Sequence, residues 1–292
     1  MSAVVTMLRV GAVVLVVGQA CACREPVAPV AITAPNLDVP PLDPRAEPVS
    51  RTRNGVHFTH PVPRTGAVWL IAVSAVSRSP DPSGDLQVTS YDSNVRVEVL
   101  AVDGPAPSRV RLRFLQNEES FQGSPKPTLV HHKEYLVDAR APHVRDAAGV
   151  AAPEAEAQRV LDVFPDLGTR TRIDQLMPTE VMQLGERRDE LAAALLRIVH
   201  PRAWTMLAGS ATLVRVDGEH AVFEVSLDAS SESGLHMVVS GEARIALASA
   251  ELAELSLDGH YDPSKTSGTP VSGGTISYRR RVTSDPSPRS DH

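Results

Sequence analysis

The chain has 292 residues, of which 42% are hydrophobic and 22% charged, and this composition predicts one large globular domain or two modest ones. Its formal net charge of −6 argues against general binding to DNA or RNA, because such binding depends mainly on neutralising phosphates. Only 4% of the residues are aromatic, too few for the platforms on which nucleic-acid bases stack.

The N-terminus carries an export signal. Arg9 precedes the apolar run 10–17, and small residues then lead to Cys21 and Cys23. The run is much shorter than the roughly 20 residues that span a bilayer as a helix. We therefore predict a secretory signal peptide over residues 1–20 and not a permanent transmembrane helix.

Cys21 is the predicted site of lipid attachment. The segment resembles a bacterial lipoprotein signal, in which small residues precede a cysteine that receives lipid on its thiol and becomes the new N-terminus. Choosing Cys23 instead would place Gln19 where a small or apolar residue is expected. The alternative is ordinary cleavage after Ala20 or Ala22. In each case the folded body has no cysteine for an internal disulfide.

Two segments are expected to lie outside the folded body. Residues 24–50 contain seven prolines, at 26, 29, 35, 40, 41, 44 and 48, which forbid a helix and disfavour a central strand. Together with the anchor they form a predicted disordered tether over residues 21–50. The polar tail 284–292 is predicted to be disordered as well. The body then covers residues 51–283.

Two β-hairpins are indicated by alternating apolar residues on either side of an Asp-Gly turn. The first has Val95, Val97 and Val99 before Asp103-Gly104, and the second has Asp217-Gly218 at its turn. Asp258-Gly259 is a third turn signal. Six further strand candidates bring the predicted number to about ten: 68–77, 86–91, 129–137, 235–246, 251–257 and 275–282.

The two hairpins suggest two related halves, residues 55–150 and 200–283. A simple meander that happens to use Asp-Gly turns explains them equally well. Between the halves, residues 153–199 are predicted to be helical. One amphipathic helix covers 153–163 and a second covers 186–199, where Leu191, Leu195 and Ile198 form one stripe. The order of strands, helices and strands predicts an α+β fold, mainly antiparallel, with a curved sheet and two helices on one face.

A search for catalytic, metal or cofactor sites predicts none. His131, His132 and His143 are the best metal candidates, but neighbours on a strand point to opposite faces. His57 and His60 are expected to be solvated. The glycines of Gly209-Ser210 and Ser240-Gly241 sit inside strand patterns, where close packing explains them better than catalysis does.

The charged residues give no catalytic signal either. Carboxylates are abundant, as at Glu118-Glu119, Asp138, Glu156 and Glu242, yet no spacing shows that two face each other. Two interpretations remain for the run 279–281, which consists of three arginines. It either protects a sheet edge, the favoured interpretation, or meets anionic lipid headgroups.

The lipoprotein-like signal, the Pro-rich tether, the strands and the central helices together resemble the bacterial envelope lipoproteins related to LolA, LolB and LppX. That resemblance implies an exported, lipid-anchored, non-enzymatic protein, held in the cell envelope at a membrane, predicted to be the outer one. Its predicted ligand is a hydrophobic molecule or lipid, bound on a concave apolar sheet face, with no cofactor. The alternatives are an assembly factor that docks on an envelope protein, and a hydrolase with an unrecognised site.

Overall fold

A computed structural model describes residues 55–80, 83–104, 106–139, 143–163, 172–199, 204–232, 235–263 and 272–283. The predicted signal peptide, Cys21, Cys23, the tether and the tail therefore lie outside the described residues. The thirteen strands are β1 Gly55–Val56, β2 Val68–Pro80, β3 Leu86–Asp103, β4 Ala106–Phe121, β5 Ser124–Pro127, β6 Glu134–Asp138, β7 His143–Asp146, β8 Met182–Gln183, β9 Trp204–Asp217, β10 His220–Ser231, β11 Leu235–Ala246, β12 Leu252–Pro263 and β13 Ser272–Thr283. Within the same described ranges there are three helices, α1 Glu154–Val163, α2 Arg172–Leu176 and α3 Asp189–Val199.

One antiparallel sheet dominates the molecule. Its strand order is β7-β6-β4-β3-β2-β13-β12-β11-β10-β9, with β5 paired to β4 off this path. β1 and β8 form a separate two-stranded sheet. The predicted α+β fold, mainly antiparallel β, is confirmed. β2 to β7 form one arm of the sheet and β9 to β13 the other, and the two arms join where β2 pairs with β13. Whether the arms are related halves stays a prediction.

Both predicted Asp-Gly hairpins are confirmed. Asp103 pairs with Ala106 across the first turn, and Asp217 pairs with His220 across the second. Gly104 and Gly218 have φ angles of 61° and 60°. Glycine adopts this left-handed conformation without the steric penalty that other residues meet, so these dipeptides are suited to tight turns.

The third turn signal, Asp258-Gly259, is wrong, because β12 continues straight through it. A Cβ atom at Gly259 would lie 2.1 Å from the carbonyl oxygen of Val238, and one at Gly241 would lie 1.9 Å from that of Ser256. Both glycines are therefore needed because the backbones of β11 and β12 approach closely. Glycines at such positions let a sheet bend sharply.

The predicted strand 129–137 begins too early. Residues 128–133 form a turn, in which the Lys133 N–H donates to the Val130 carbonyl at 3.1 Å and His132 has a φ of 58°. Val130 is fully buried in the core. The apolar residues here match the strand pattern, but this turn uses one of them to fill the core.

The helices α1 and α3 confirm the two predicted helices, although α3 begins at Asp189 and not at residue 186. Glu186 and Arg188 instead pair with the free edge of β9, where the Leu213 N–H donates to the Glu186 carbonyl at 3.0 Å. The short helix α2 was not predicted, because five residues are too few to show a helical period.

The two faces of the large sheet have opposite chemistry. Apolar residues alternate with polar ones along each strand, and the apolar set faces the helices; we call this side the inner face and the other the outer face. Ten strands at about 4.8 Å spacing make a sheet roughly 48 Å wide. A helix of 10 or 11 residues is only about 16 Å long. Two such helices cannot cover a flat sheet of that width, so burial of the inner face requires the sheet to curve.

Candidate functional site

The inner face is lined by two buried apolar clusters. The first-arm cluster includes Trp69, Val97, Leu112, Phe114 and Tyr135, and α1 contributes Val160 to it. The second-arm cluster lies on β9 to β12 and includes the buried residues of α2 and α3. Val73 packs against both clusters, so the apolar lining is continuous across the join between the arms.

A small polar cluster interrupts this apolar lining, and we define it as Asn117, Tyr91, Ser93, Thr128 and His131. Asn117 is completely buried, and its Nδ2 donates to Tyr91 Oη and to Ser93 Oγ, both at 2.8 Å. Thr128 Oγ1 donates to Asn117 Oδ1. The Asn117 backbone N–H donates to His131 Nδ1 at 3.2 Å.

These contacts satisfy Asn117 inside the apolar surroundings, as a buried amide requires. The cluster fixes the packing of β3, β4 and the 128–133 turn. Sequence reasoning missed it, because Ser, Asn and Thr at scattered positions of a strand pattern carry no recognisable spacing.

Helix α1 is held over the first arm by apolar packing of Ala157, Val160 and Leu161 and by a set of polar contacts. Glu156 accepts hydrogen bonds from Lys133 Nζ at 2.8 Å and from Tyr135 Oη at 2.5 Å. Arg159 pairs with Glu119 at 2.7 Å, and its guanidinium lies 5.9 Å from the centre of the Tyr91 ring.

These contacts shift the pKa values of two groups in opposite directions. Burial alone would raise the pKa of Glu156, but the hydrogen bonds from Lys133 and Tyr135 outweigh burial and hold that pKa below its usual value. Burial, reinforced by the Glu156 carboxylate, raises the pKa of Tyr135. At neutral pH the carboxylate is therefore ionised, and the phenol keeps its proton and donates it.

The segment that follows the predicted tether packs into the second-arm cluster. Val56 and Phe58 are buried there, and Val56 pairs with Met182. The Thr59 N–H donates to the Leu247 carbonyl at 2.8 Å. His60 Nδ1 lies 2.5 Å from Asp174 Oδ1 of α2. The prediction for His57 is right, since it is exposed, but the prediction for His60 is wrong, since it forms this part-buried ion pair.

The candidate metal site does not assemble in the described part of the chain. His131 and His132 are not on a strand, and their ring centres lie only 3.9 Å apart, so the strand-based argument against them was wrong. Within the described ranges, however, no group of three His, Cys, Asp or Glu side chains is placed to hold a metal ion. His143 begins β7.

The remaining candidates have structural partners. Gly209 lies against α3, where an added Cβ would come within 3.3 Å of the Ala192 Cβ. Glu119, Asp138, Glu156 and Glu242 each form an ion pair with an arginine or a lysine. This arrangement favours a structural role for these carboxylates over acid–base catalysis.

Among the described helices, none has both the length and the apolar character needed to cross a membrane.

No protein-family model matches the chain, and no curated protein matches it significantly. Among solved structures it is similar to lipovitellin, from a study of lipid–protein interactions, at a TM-score of 0.40 and 10% identity, over 76% of this chain and 26% of that one. It is also similar to DynF from the dynemicin biosynthesis pathway of Micromonospora chersina, at a TM-score of 0.22 and 11% identity, over 83% and 95% of the two chains. The chain thus spans about a quarter of the length of lipovitellin. With both TM-scores below 0.5, neither likeness carries a functional argument.

Proposed function

We propose that this chain is an exported envelope lipoprotein of the LolA, LolB and LppX kind, with a non-enzymatic role. In this proposal Cys21 carries the lipid, the Pro-rich segment is the tether, and the inner face of the sheet binds a hydrophobic ligand or lipid. The location is the cell envelope, at the outer membrane.

The observation that carries the ligand proposal is the continuous apolar lining of the inner face. Val97, Val99, Val110 and Leu112 are fully buried on the first arm, and Leu227, Met237 and Leu255 on the second. Apolar side chains of this kind suit acyl chains, which are recognised by burial and not by directed hydrogen bonds. Because the chain itself already covers these residues, the ligand would reach them when a covering helix moves aside. The polar cluster around Asn117 uses its hydrogen bonds internally, which favours a binding role over catalysis.

The two tryptophans of the chain provide a direct test. Trp69 belongs to the first-arm cluster, and Trp204 packs against the second-arm cluster. A fatty acid brominated along its chain should quench Trp69 in the Trp204→Phe variant, or Trp204 in the Trp69→Phe variant, in a saturable manner. Glucose of equal concentration serves as the control. Absence of quenching in both variants, together with protein recovered from its own membrane without bound lipid in native mass spectrometry, would reject the ligand proposal.

The anchor is tested separately. We expect Cys21→Ala to abolish labelling by a fatty-acid analogue in cells, while Cys23→Ala retains it. Unchanged labelling of the first variant would reject Cys21 as the attachment site, without bearing on the inner face.

A second candidate, docking on an envelope partner protein, is favoured by one feature. Leu86 and Phe121 are 58% and 48% exposed at the same end of the sheet, where Gln122 Nε2 donates to the Leu86 carbonyl at 3.4 Å. Large apolar side chains left exposed at one end of a sheet can belong to an interaction surface. A photo-crosslinker at Phe121 should then capture one defined envelope protein, whereas the same group at the exposed Glu224 should not.

A further inference from the structure

The outer face of the first arm carries a row of arginines. Arg109, Arg111 and Arg113 alternate along β4, so all three point to the outer face. Arg96 is the cross-strand partner of Arg113, and Arg145 is joined to Arg111 through their shared partner Leu136. We call these five residues the arginine patch.

Only part of the patch is neutralised by carboxylates. Arg109 pairs with Asp138 at 3.0 Å, and Arg111 pairs with Glu98 at 3.2 Å and with Glu134 at 3.4 Å. Among the described residues, Arg96 forms an ion pair with Glu98 alone, at the long distance of 3.8 Å. For Arg113 and Arg145, both exposed, the described residues supply no ion pair.

The register of the sheet places Arg113 between a like charge and an opposite charge, since its cross-strand partners are Arg96 on β3 and Glu134 on β6. Arg96 and Arg113 stand directly opposite each other on neighbouring strands, and like charges in that position destabilise a sheet. The backbone register extends the row, because Leu70 pairs both with Arg96 and with Arg281 of β13. The edge-protection interpretation of residues 279–281 is wrong, since β13 lies between β12 and β2, inside the sheet.

The outer face of the second arm differs. Its arginines on β9 and β11 are both paired, Arg215 with Glu242 at 2.8 Å and Arg244 with Asp217 at 3.0 Å. Glu224 and Asp258 are exposed there as well. Among the side chains that the structure describes, the arginines without an ion pair on the outer face of the sheet therefore lie on the first arm.

We propose that the arginine patch docks on an anionic lipid bilayer, a contact separate from the lipid anchor and from the inner-face ligand. Each arginine near an anionic membrane contributes about 1 kcal/mol of attraction. The half-buried Leu70 and Leu136 lie between the charges and add apolar surface to the contact. Docking would relieve the repulsion between Arg96 and Arg113 and lay the outer face of the first arm on the membrane.

The test uses the full-length protein mixed with vesicles, with Cys21→Ala and Cys23→Ala so that the one introduced cysteine is labelled whether or not Cys21 carries lipid. An environment-sensitive dye attached at Leu70→Cys reports whether the arginine patch contacts the bilayer. The same dye at Ser240→Cys, an exposed position on the second arm, is the control. We expect a blue shift at Leu70→Cys with vesicles containing phosphatidylglycerol and none with phosphatidylcholine alone. At Ser240→Cys we expect no shift with either.

Three changes test whether the arginine patch causes the dye shift. Combined Arg96→Gln, Arg113→Gln and Arg145→Gln should abolish the shift, whereas Arg215→Gln with Arg244→Gln should leave it intact. Salt at about 1 M, where the Debye length is roughly 3 Å, should also abolish it. An equal shift in both kinds of vesicle, or one that survives the triple change, overturns the proposal. A shift with soluble heparin but not with anionic vesicles would assign the patch to a polyanion and overturn the bilayer assignment.

The outcome is independent of the ligand and anchor proposals. Bromolipid quenching of the tryptophans reads the inner face, and fatty-acid labelling reads Cys21. A failed dye shift with normal quenching and labelling therefore rejects only the docking surface.

Discussion

Helices α1 and α3 cover the same face of one sheet, but they are attached to it by different forces. α3 buries six side chains, which are Leu191, Ala192, Ala194, Leu195, Leu196 and Val199. α1 fully buries Val160 and packs the partly buried Ala157 and Leu161 against the first-arm cluster. It is also held by the polar contacts of Glu156 and Arg159 with Lys133, Tyr135 and Glu119.

This difference predicts which helix stays packed until the protein unfolds and which helix opens locally when the pH or the salt concentration changes. Burying a leucine contributes about 1.5–3 kcal/mol and does not depend on pH or salt to first order. A hydrogen-bonded ion pair at a partly exposed site contributes less and does depend on both. We therefore expect α3 to open only with global unfolding, and α1 to open locally at lower free energy.

The largest effect is expected from Leu195→Ala in α3. Leu195 is fully buried, and truncation removes apolar contacts and leaves a cavity, so the free energy of unfolding should fall by about 3 kcal/mol. Urea denaturation measures it. The matched change in α1, Val160→Ala, removes a smaller side chain and should cost about 1.5 kcal/mol. Equal losses in the two variants would contradict the comparison.

A smaller effect is expected where α3 approaches β9. A Cβ at Gly209 would lie 3.3 Å from the Ala192 Cβ and 2.7 Å from Met206 Sδ, so Gly209→Val should push the helix outward. Overpacking of this kind costs about 2 kcal/mol. Amide hydrogen exchange should become faster in α3 and should stay unchanged in α1. Wild-type stability of this variant would show that space remains between α3 and β9, and would contradict this prediction.

The smallest global effect is expected from Glu156→Gln in α1. Gln keeps the shape but loses the charge, so the contacts with Lys133 and Tyr135 weaken and global stability falls by about 1 kcal/mol. Amide exchange in α1 should nevertheless rise severalfold. The control is Glu242→Gln on the outer face, which removes the Arg215 ion pair without touching a helix. Faster α1 exchange in that control would reject Glu156 as the fastening residue.

Acidification sharpens the same comparison. The pKa of Glu156 is lower in the folded protein than in the unfolded chain, so its contribution is present above the unfolded value, about 4.3. It is lost as the pH falls through the lower folded value. The protection factors of the α1 amides, which remove the intrinsic pH dependence of exchange, should therefore fall below about pH 4.3, and this loss of protection should be absent in Glu156→Gln. Acid lability of α3 at the same pH, before global unfolding, would contradict the assignment.

The local parts of the fold could be predicted from the sequence. Asp103-Gly104 and Asp217-Gly218 specify their turns through glycine, and strict alternation around Val95 to Val99 specifies which residues face inward. The predicted strand 235–246 matches β11 fully, and both long helices were found from their apolar period. These features rest on interactions between residues close in sequence, and so their signals are local.

The errors occur where a local pattern meets a distant partner. Gly259 resembles a turn residue, but the backbone of β11 requires it. Val130 fits a strand pattern, but it lies in a turn and packs into the first-arm cluster. His60 resembles a solvated residue, but α2 brings Asp174 to it from 114 positions away.

The sequence by itself determined the mainly antiparallel fold, the two hairpins and the apolar inner face, because alternation and glycine conformation act over a few residues. Only the tertiary structure decided the sheet order, the burial of Asn117 among its polar partners, the interior position of β13 and the opposition of Arg96 and Arg113. Each of these depends on which strands become neighbours, and that choice is made by packing between residues far apart in the chain.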